Sequence, residues 1–224
     1  METRISDRTN FGWFYGTHKR VTRFALRNLT ELKPFKDALE EFAQRPDFDE
    51  KGTFNNWHFF SPIQRKSFLD FNNKENALAK YKDHVQKMLV AVDEKKQDLY
   101  IEHAGRALHY LQDMTQPQHT KKGFIFNKFF YLRTHLAFEG FVKKNQEDCF
   151  SEYTERMFKN KSYEDLFMEN VELSSKSELP KMKNRYAWER LGRNGINQAI
   201  YSTREFLIKL NRLLEKDQYT LPFS

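Results

Sequence analysis

At 224 residues the chain is long enough to bury one substantial core, and nothing in it marks a second domain. Lys plus Arg outnumber Asp plus Glu by 38 to 31; the resulting net charge of +7 and pI near 9.3 favour acidic partners without choosing between a phosphodiester substrate, an anionic membrane surface and nucleic acid. The single cysteine, Cys149, excludes an internal disulfide and a thiolate zinc cluster, while the absence of an apolar signal core in residues 1–10 and of any run near the roughly 18 apolar residues of a membrane span makes the chain as given an expected soluble protein.

After a polar start, the run Phe11-Gly12-Trp13-Phe14-Tyr15-Gly16-Thr17-His18 leads into a helix that Thr17 is placed to cap, with Val21, Phe24, Ala25 and Leu29 on its inner face. Pro34 opens a short amphipathic helix carrying Phe35, Ala38, Leu39 and Phe42, which has to end before Pro46. Residues 45–62 lack a period and are rich in turn formers, so they read as a long loop, a feature more often functional than idle inside a compact domain. The loop carries Asp47, Asp49 and His58, which taken alone describe an acidic surface turn and a satisfied core histidine. From Lys74 to about Lys95, Leu78, Tyr81, Val85, Met88 and Val92 form a helical stripe. His84 lies beside that stripe with no acid at useful spacing and reads as structural. His103 is six residues, about 240° of rotation, from His109 and is left outside any site.

Residues 105–139 concentrate the chemistry. Leu99, Ala104, Ala107, Leu108 and Leu111 recur at helical spacing, so His109 and Asp113, four residues apart, share a face and can hold one cation. Pro117 ends that helix, and the turn delivers His119 to the same end. His135 and Glu139 repeat the four-residue step on the next apolar segment. One such pair is commonly no more than a hydrogen-bonded or solvated pair. Two pairs with a histidine between them, together three of the chain's seven histidines, point as readily to a buried multinuclear metal site between helices. The aromatics between Gly123 and Leu132 anchor the helix that presents His135, with Phe130 and Phe138 inward; the other reading is a rim that enters a membrane interface. Tyr163 to Leu173 and Tyr186 to Leu214 read as the last helices, Gly192 and Gly195 weakening the start of the second or allowing close packing there. Strand-like alternation is nowhere convincing. The expected fold is all-α, a compact single-domain helical bundle over residues 13–218, with segment 1–12 removed or disordered.

Five blocks in order carry a resemblance: Gly16-Thr17-His18 followed by Val21-Thr22; Pro46-Asp47-Phe48-Asp49; His58-Phe59 with Pro62; Leu108-His109-Tyr110-Leu111-x-Asp113-x-x-Gln116-Pro117-x-His119; and His135-Leu136-Ala137-Phe138-Glu139. Together they resemble the zinc-dependent bacterial phospholipases C, including the catalytic domain of alpha-toxin, which share a fold with the fungal single-strand-specific zinc nucleases. The resemblance implies three zinc ions: one on Asp47, His58, His109 and Asp113, a second on His119, His135 and Glu139, and a third on His18, a bridging Asp113 and the main-chain amine and carbonyl of a leading tryptophan. Trp13 stands where that tryptophan belongs, but twelve residues precede it, so either residues 1–12 are removed or the third ion is bound differently.

The same resemblance implies phospholipase C activity on a phosphatidylcholine-like glycerophospholipid at a membrane surface, with Asp47 as ligand and general base and Asp49 outside the ligand set. Phe48 and Phe54 would form part of an aromatic cage for the head group, although the family's glutamate after the leading tryptophan is replaced here by Phe14. It further implies a monomer without a stable nucleic-acid partner, and export from the cell. Two alternatives stay open: a zinc nuclease on single strands, favoured by the pI and the aromatics, and a zinc scaffold at membranes without turnover.

Overall fold

Helical spacing of apolar residues becomes helix along most of the described residues. In the computed structural model residues 16–50, 57–63, 65, 76–120, 128–151, 157–178 and 184–219 are described, except for the side chains of 128–133, 135, 146, 149, 151 and 216–219. Trp13, Phe54 and the side chains of Phe130 and His135 lie outside the described residues.

Helix α1 (Thr17–Ala25) is entered through Gly16, whose φ of 102° suits glycine and strains other residues. Gly16, and not the expected Thr17, is therefore the N-cap, and Thr17 is drawn into the first turn and buried. A 3-10 turn, Lys33–Phe35, contains Pro34 and leads into α2 (Lys36–Phe42). The loop expected from residue 45 opens instead with a helical turn, α3 (Pro46–Asp49), because proline at the first helical position has its φ already set and no N–H to lose.

Helix α4 (Ala77–Asp93) is capped by Asn76, whose side chain accepts from the Ala79 amide at 3.0 Å. Helix α5 (Gln97–Asp113) stops before Pro117, which opens the single turn α6 (Pro117–Thr120). Then follow α7 (Lys128–Lys144), α8 (Gln146–Ser151), α9 (Tyr163–Lys176) and α10 (Arg185–Tyr219). A capping box between Ser162 and Asp165 begins α9. Among the described residues there is no β-strand and no helix long and apolar enough to cross a membrane.

Helix α5 is the centre. Every residue from Ala107 to Asp113 is buried, so it has neighbours on all sides, with α4 and α2 the most extensive and α10, α1 and α9 completing the ring. At Gly105 the packing is so close that a Cβ would lie 2.4 Å from Phe42 Cβ and 3.1 Å from the Ala43 nitrogen. Leu39, Met88, Leu108, Leu111, Phe167 and Phe206 are fully buried around it, each contributing about 1.5–3 kcal/mol on leaving water. The C-terminal end of α5 thereby meets the start of α1, helix α3, residues 57–60 and α6 in the interior.

Candidate metal centre

Six of the expected ligands converge on that end, and a seventh joins them from α7. Asp113 stands in the middle, fully buried. Its Oδ1 lies 3.5 Å from His18 Nε2, and its Oδ2 lies 2.9 Å from His58 Nδ1, 3.3 Å from His109 Nε2 and 3.8 Å from His119 Nδ1. Asp47, on α3, lies 3.7 Å from His109 Nε2 and 4.0 Å from His18 Nε2. Glu139 lies 3.9 Å from His119 Nε2. His135 is one helical turn before Glu139 on α7.

The aim of the imidazoles follows from their other nitrogens. His109 Nδ1 lies 2.9 Å from the Ala43 carbonyl, His58 Nε2 lies 3.2 Å from the Glu50 carbonyl, and His119 Nδ1 lies 2.6 Å from the His58 carbonyl. His18 Nδ1 lies 2.8 Å from Gln112 Oε1. A carbonyl oxygen only accepts, so each of these nitrogens carries the hydrogen and, in a neutral ring, the opposite nitrogen is a lone pair. The opposite nitrogens of His18, His58 and His109 face Asp113, and that of His119 faces Glu139. His58 Nδ1 and His109 Nε2 also lie 3.0 Å from each other. His18 Nε2 and Asp113 Oδ1 have no hydrogen-bond partner among the described residues.

The electrostatics show what could join these acceptors. Burial and the neighbouring His18 hold the His109 pKa down to about 3, so a proton on His109 does not relieve the crowding near neutral pH. Burial tends to lower the His18 pKa, but Asp113 and Asp47 more than offset it and raise it. Burial pushes the Asp113 carboxyl up, and His109 and His119 outweigh it and keep it ionised. Glu139 is pushed up to about 7, chiefly by burial. A buried cluster of lone pairs and carboxylates needs positive charge, and two ligands of one tetrahedral ion with bonds of about 2.0–2.1 Å lie about 3.3 Å apart. Among the described residues two trios come near this spacing, His18 with His109 and Asp113, and Asp47 with His58 and His109, the donor atoms in each lying within 4.8 Å of one another. The buried His and Asp groups can thus hold a metal ion, and the residues present fit one.

Asp49 turns outward and pairs with Arg106 at 2.8 and 2.9 Å. Phe48 is 47% exposed. Two residues behind the ligands were not legible in the sequence. Gln112 occupies the unassigned position before Asp113, and its contact with His18 spans 94 residues of chain. Glu50 accepts from His84 Nε2 at 2.8 Å and Tyr110 Oη at 3.1 Å and pairs with Arg106, which gives His84 the acid partner that spacing did not reveal. His84 Nδ1 in turn lies 3.2 Å from His103 Nδ1, so both histidines belong to this outer network. Phe59 stacks on His119 with ring centroids 4.9 Å apart.

No protein-family model matches the sequence, and a search of curated proteins finds no match. Solved structures do match. Alpha toxin from Clostridium absonum superposes with a TM-score of 0.68 at 17% identity, covering 94% of this chain and 65% of its own. Clostridium perfringens alpha-toxin from avian strain SWCP gives 0.63 at 15% identity, covering 97% of this chain and 67% of its own. The chain thus spans 65% of the length of the first of these toxins. The resemblance to alpha-toxin read from the ordered blocks holds at the level of the fold, which is the all-α arrangement expected.

Proposed function

We propose that this chain is a zinc-dependent phosphodiester hydrolase, a phospholipase C that cleaves a phosphatidylcholine-like glycerophospholipid to diacylglycerol and the phosphorylated head group. The observation that carries the reading is the set of four imidazoles whose hydrogen-bearing nitrogens are engaged from behind, leaving their lone pairs turned on Asp47, Asp113 and Glu139. Zinc would be held by Asp47, His58, His109 and Asp113, by His119, His135 and Glu139, and by His18 with Asp113, joined by the main chain of Trp13 only if residues 1–12 are removed. When bound, zinc supplies Lewis acidity, polarising phosphoryl oxygens and lowering the pKa of water toward about 7.

The chain's own residues do the rest. Asp47 is the ligand carried by the short helix α3, and its carboxylate orients the attacking water and takes its proton. The rigid hold on each imidazole keeps the ligands from swinging as negative charge builds on the phosphoryl oxygens. Phe48, exposed beside Asp47, offers an aromatic face to a quaternary ammonium.

The test is a substrate panel on metal-loaded protein, with phosphatidylcholine vesicles and single-stranded DNA, before and after chelation. Chelator-sensitive release of phosphocholine is expected. Mononucleotides instead would support the nuclease reading, which the net charge of +7 favours. Full metal loading with neither product would leave a non-catalytic scaffold.

A further inference from the structure

The three ligand carbonyls behind His58, His109 and His119 belong to the main chain, whereas His18 is held by a side chain. Gln112 Oε1 accepts from His18 Nδ1 at 2.8 Å, and Gln112 Nε2 donates to Thr22 Oγ1 at 3.0 Å and to Thr203 Oγ1 at 3.1 Å. His18, Gln112, Thr22 and Thr203 are all completely buried. With both amide hydrogens directed at the threonines, the amide oxygen faces the imidazole. In the neutral ring this places the hydrogen on Nδ1 and leaves Nε2, 3.5 Å from Asp113 Oδ1, as the nitrogen open to a cation.

We propose that Gln112 is a positioning residue for the cation shared by His18 and Asp113. Thr22 on α1 and Thr203 on α10 clamp it, so that this ion keeps an oriented imidazole whatever the main chain ahead of Gly16 supplies. The inference rests on the metal reading of the site. A group of this kind, one step behind a metal ligand, is worth roughly 10–100-fold in metal affinity.

The experiment uses the full chain loaded with zinc or cobalt, reading bound metal per chain by plasma mass spectrometry and affinity by chelator competition. Gln112→Leu is expected to weaken one ion roughly 10–100-fold and leave the others, with the cobalt spectrum losing one component. His18→Ala should remove the same ion, and adding Gln112→Leu to it should remove nothing more. Gln112→Glu, which keeps an acceptor facing His18, should restore the ion. Where Gln112→Leu does not fold, Thr203→Val carries the test, since it releases one side of the clamp and should weaken that ion alone by several-fold. Loading of Gln112→Leu, or of Thr203→Val, equal to the wild type in every ion overturns the role of Gln112 and leaves the metal site standing. A wild type that takes up no divalent ion overturns both.

Discussion

Asp113 touches the work of four histidines at once, which makes it the residue whose chemistry matters most. Asp113→Asn keeps the size and places an amide donor among lone pairs, so metal affinity should fall by at least the roughly 10–100-fold that loss of a partner behind a ligand costs, as read by chelator competition. Glu50 makes a different kind of contribution. Burial pushes its carboxyl up, but the hydrogen bond from His84 and the charges of His84, Arg106 and Lys80 bring it from 4.5 down to about 2. A depressed carboxyl stabilises the fold fully above its unfolded pKa and loses that contribution as pH falls through the folded one. Between about pH 4.5 and 2 the protein should therefore lose on the order of 3 kcal/mol from this group. Glu50→Gln should be less stable at neutral pH and should show a flatter acid limb, measured by urea unfolding across that range. Asp113 was legible from its spacing to His109; Glu50 was not, because its partners are brought to it by α4 and α5 and lie 30 to 60 residues away.

At the scale of elements, the close meeting of α5 with α2 fixes both stability and aim. Gly105→Ala places a methyl against Phe42 Cβ and the Ala43 nitrogen, an overpacking expected to cost about 1–3 kcal/mol. Because the Ala43 carbonyl holds His109, the same displacement should also weaken metal binding, so melting temperature and chelator competition should fall together. Ser162→Ala, which breaks the capping box of α9 far from the ligands, should cost about 0.5–2 kcal/mol with metal affinity unchanged. Helices α4, α5, α9 and α10 were legible because their apolar residues recur at the 3.6-residue period. The turn α3 was hidden in a stretch without period, and Gly105 gave no hint of its role, since a glycine in a helix looks the same whether the space beside it is open or filled.

For the whole molecule, the candidate centre ties α1, α3, the segment around His58, α5 and α6 together in the interior. An ion bound there and absent from the unfolded chain adds about 2.7 kcal/mol at a free concentration 100 times its Kd. Chelation should accordingly lower the melting temperature by several degrees, and the shift should shrink in His109→Ala, as followed by calorimetry. The pairs His109 with Asp113 and His135 with Glu139 spoke for a site because a helix keeps four-residue neighbours on one face. His18, Asp47 and His58 became candidates only through the ordered blocks, for no local period connects residues that the fold alone assembles.

The oxygens that orient His58, His109 and His119 sit at positions 50, 43 and 58 and belong to peptide groups, which every amino acid carries alike. No exchange of side chain at Ala43 or Glu50 deletes them; only a change in the path of the backbone can. Such an arrangement tolerates exchange of the letters around it, provided the backbone keeps its path.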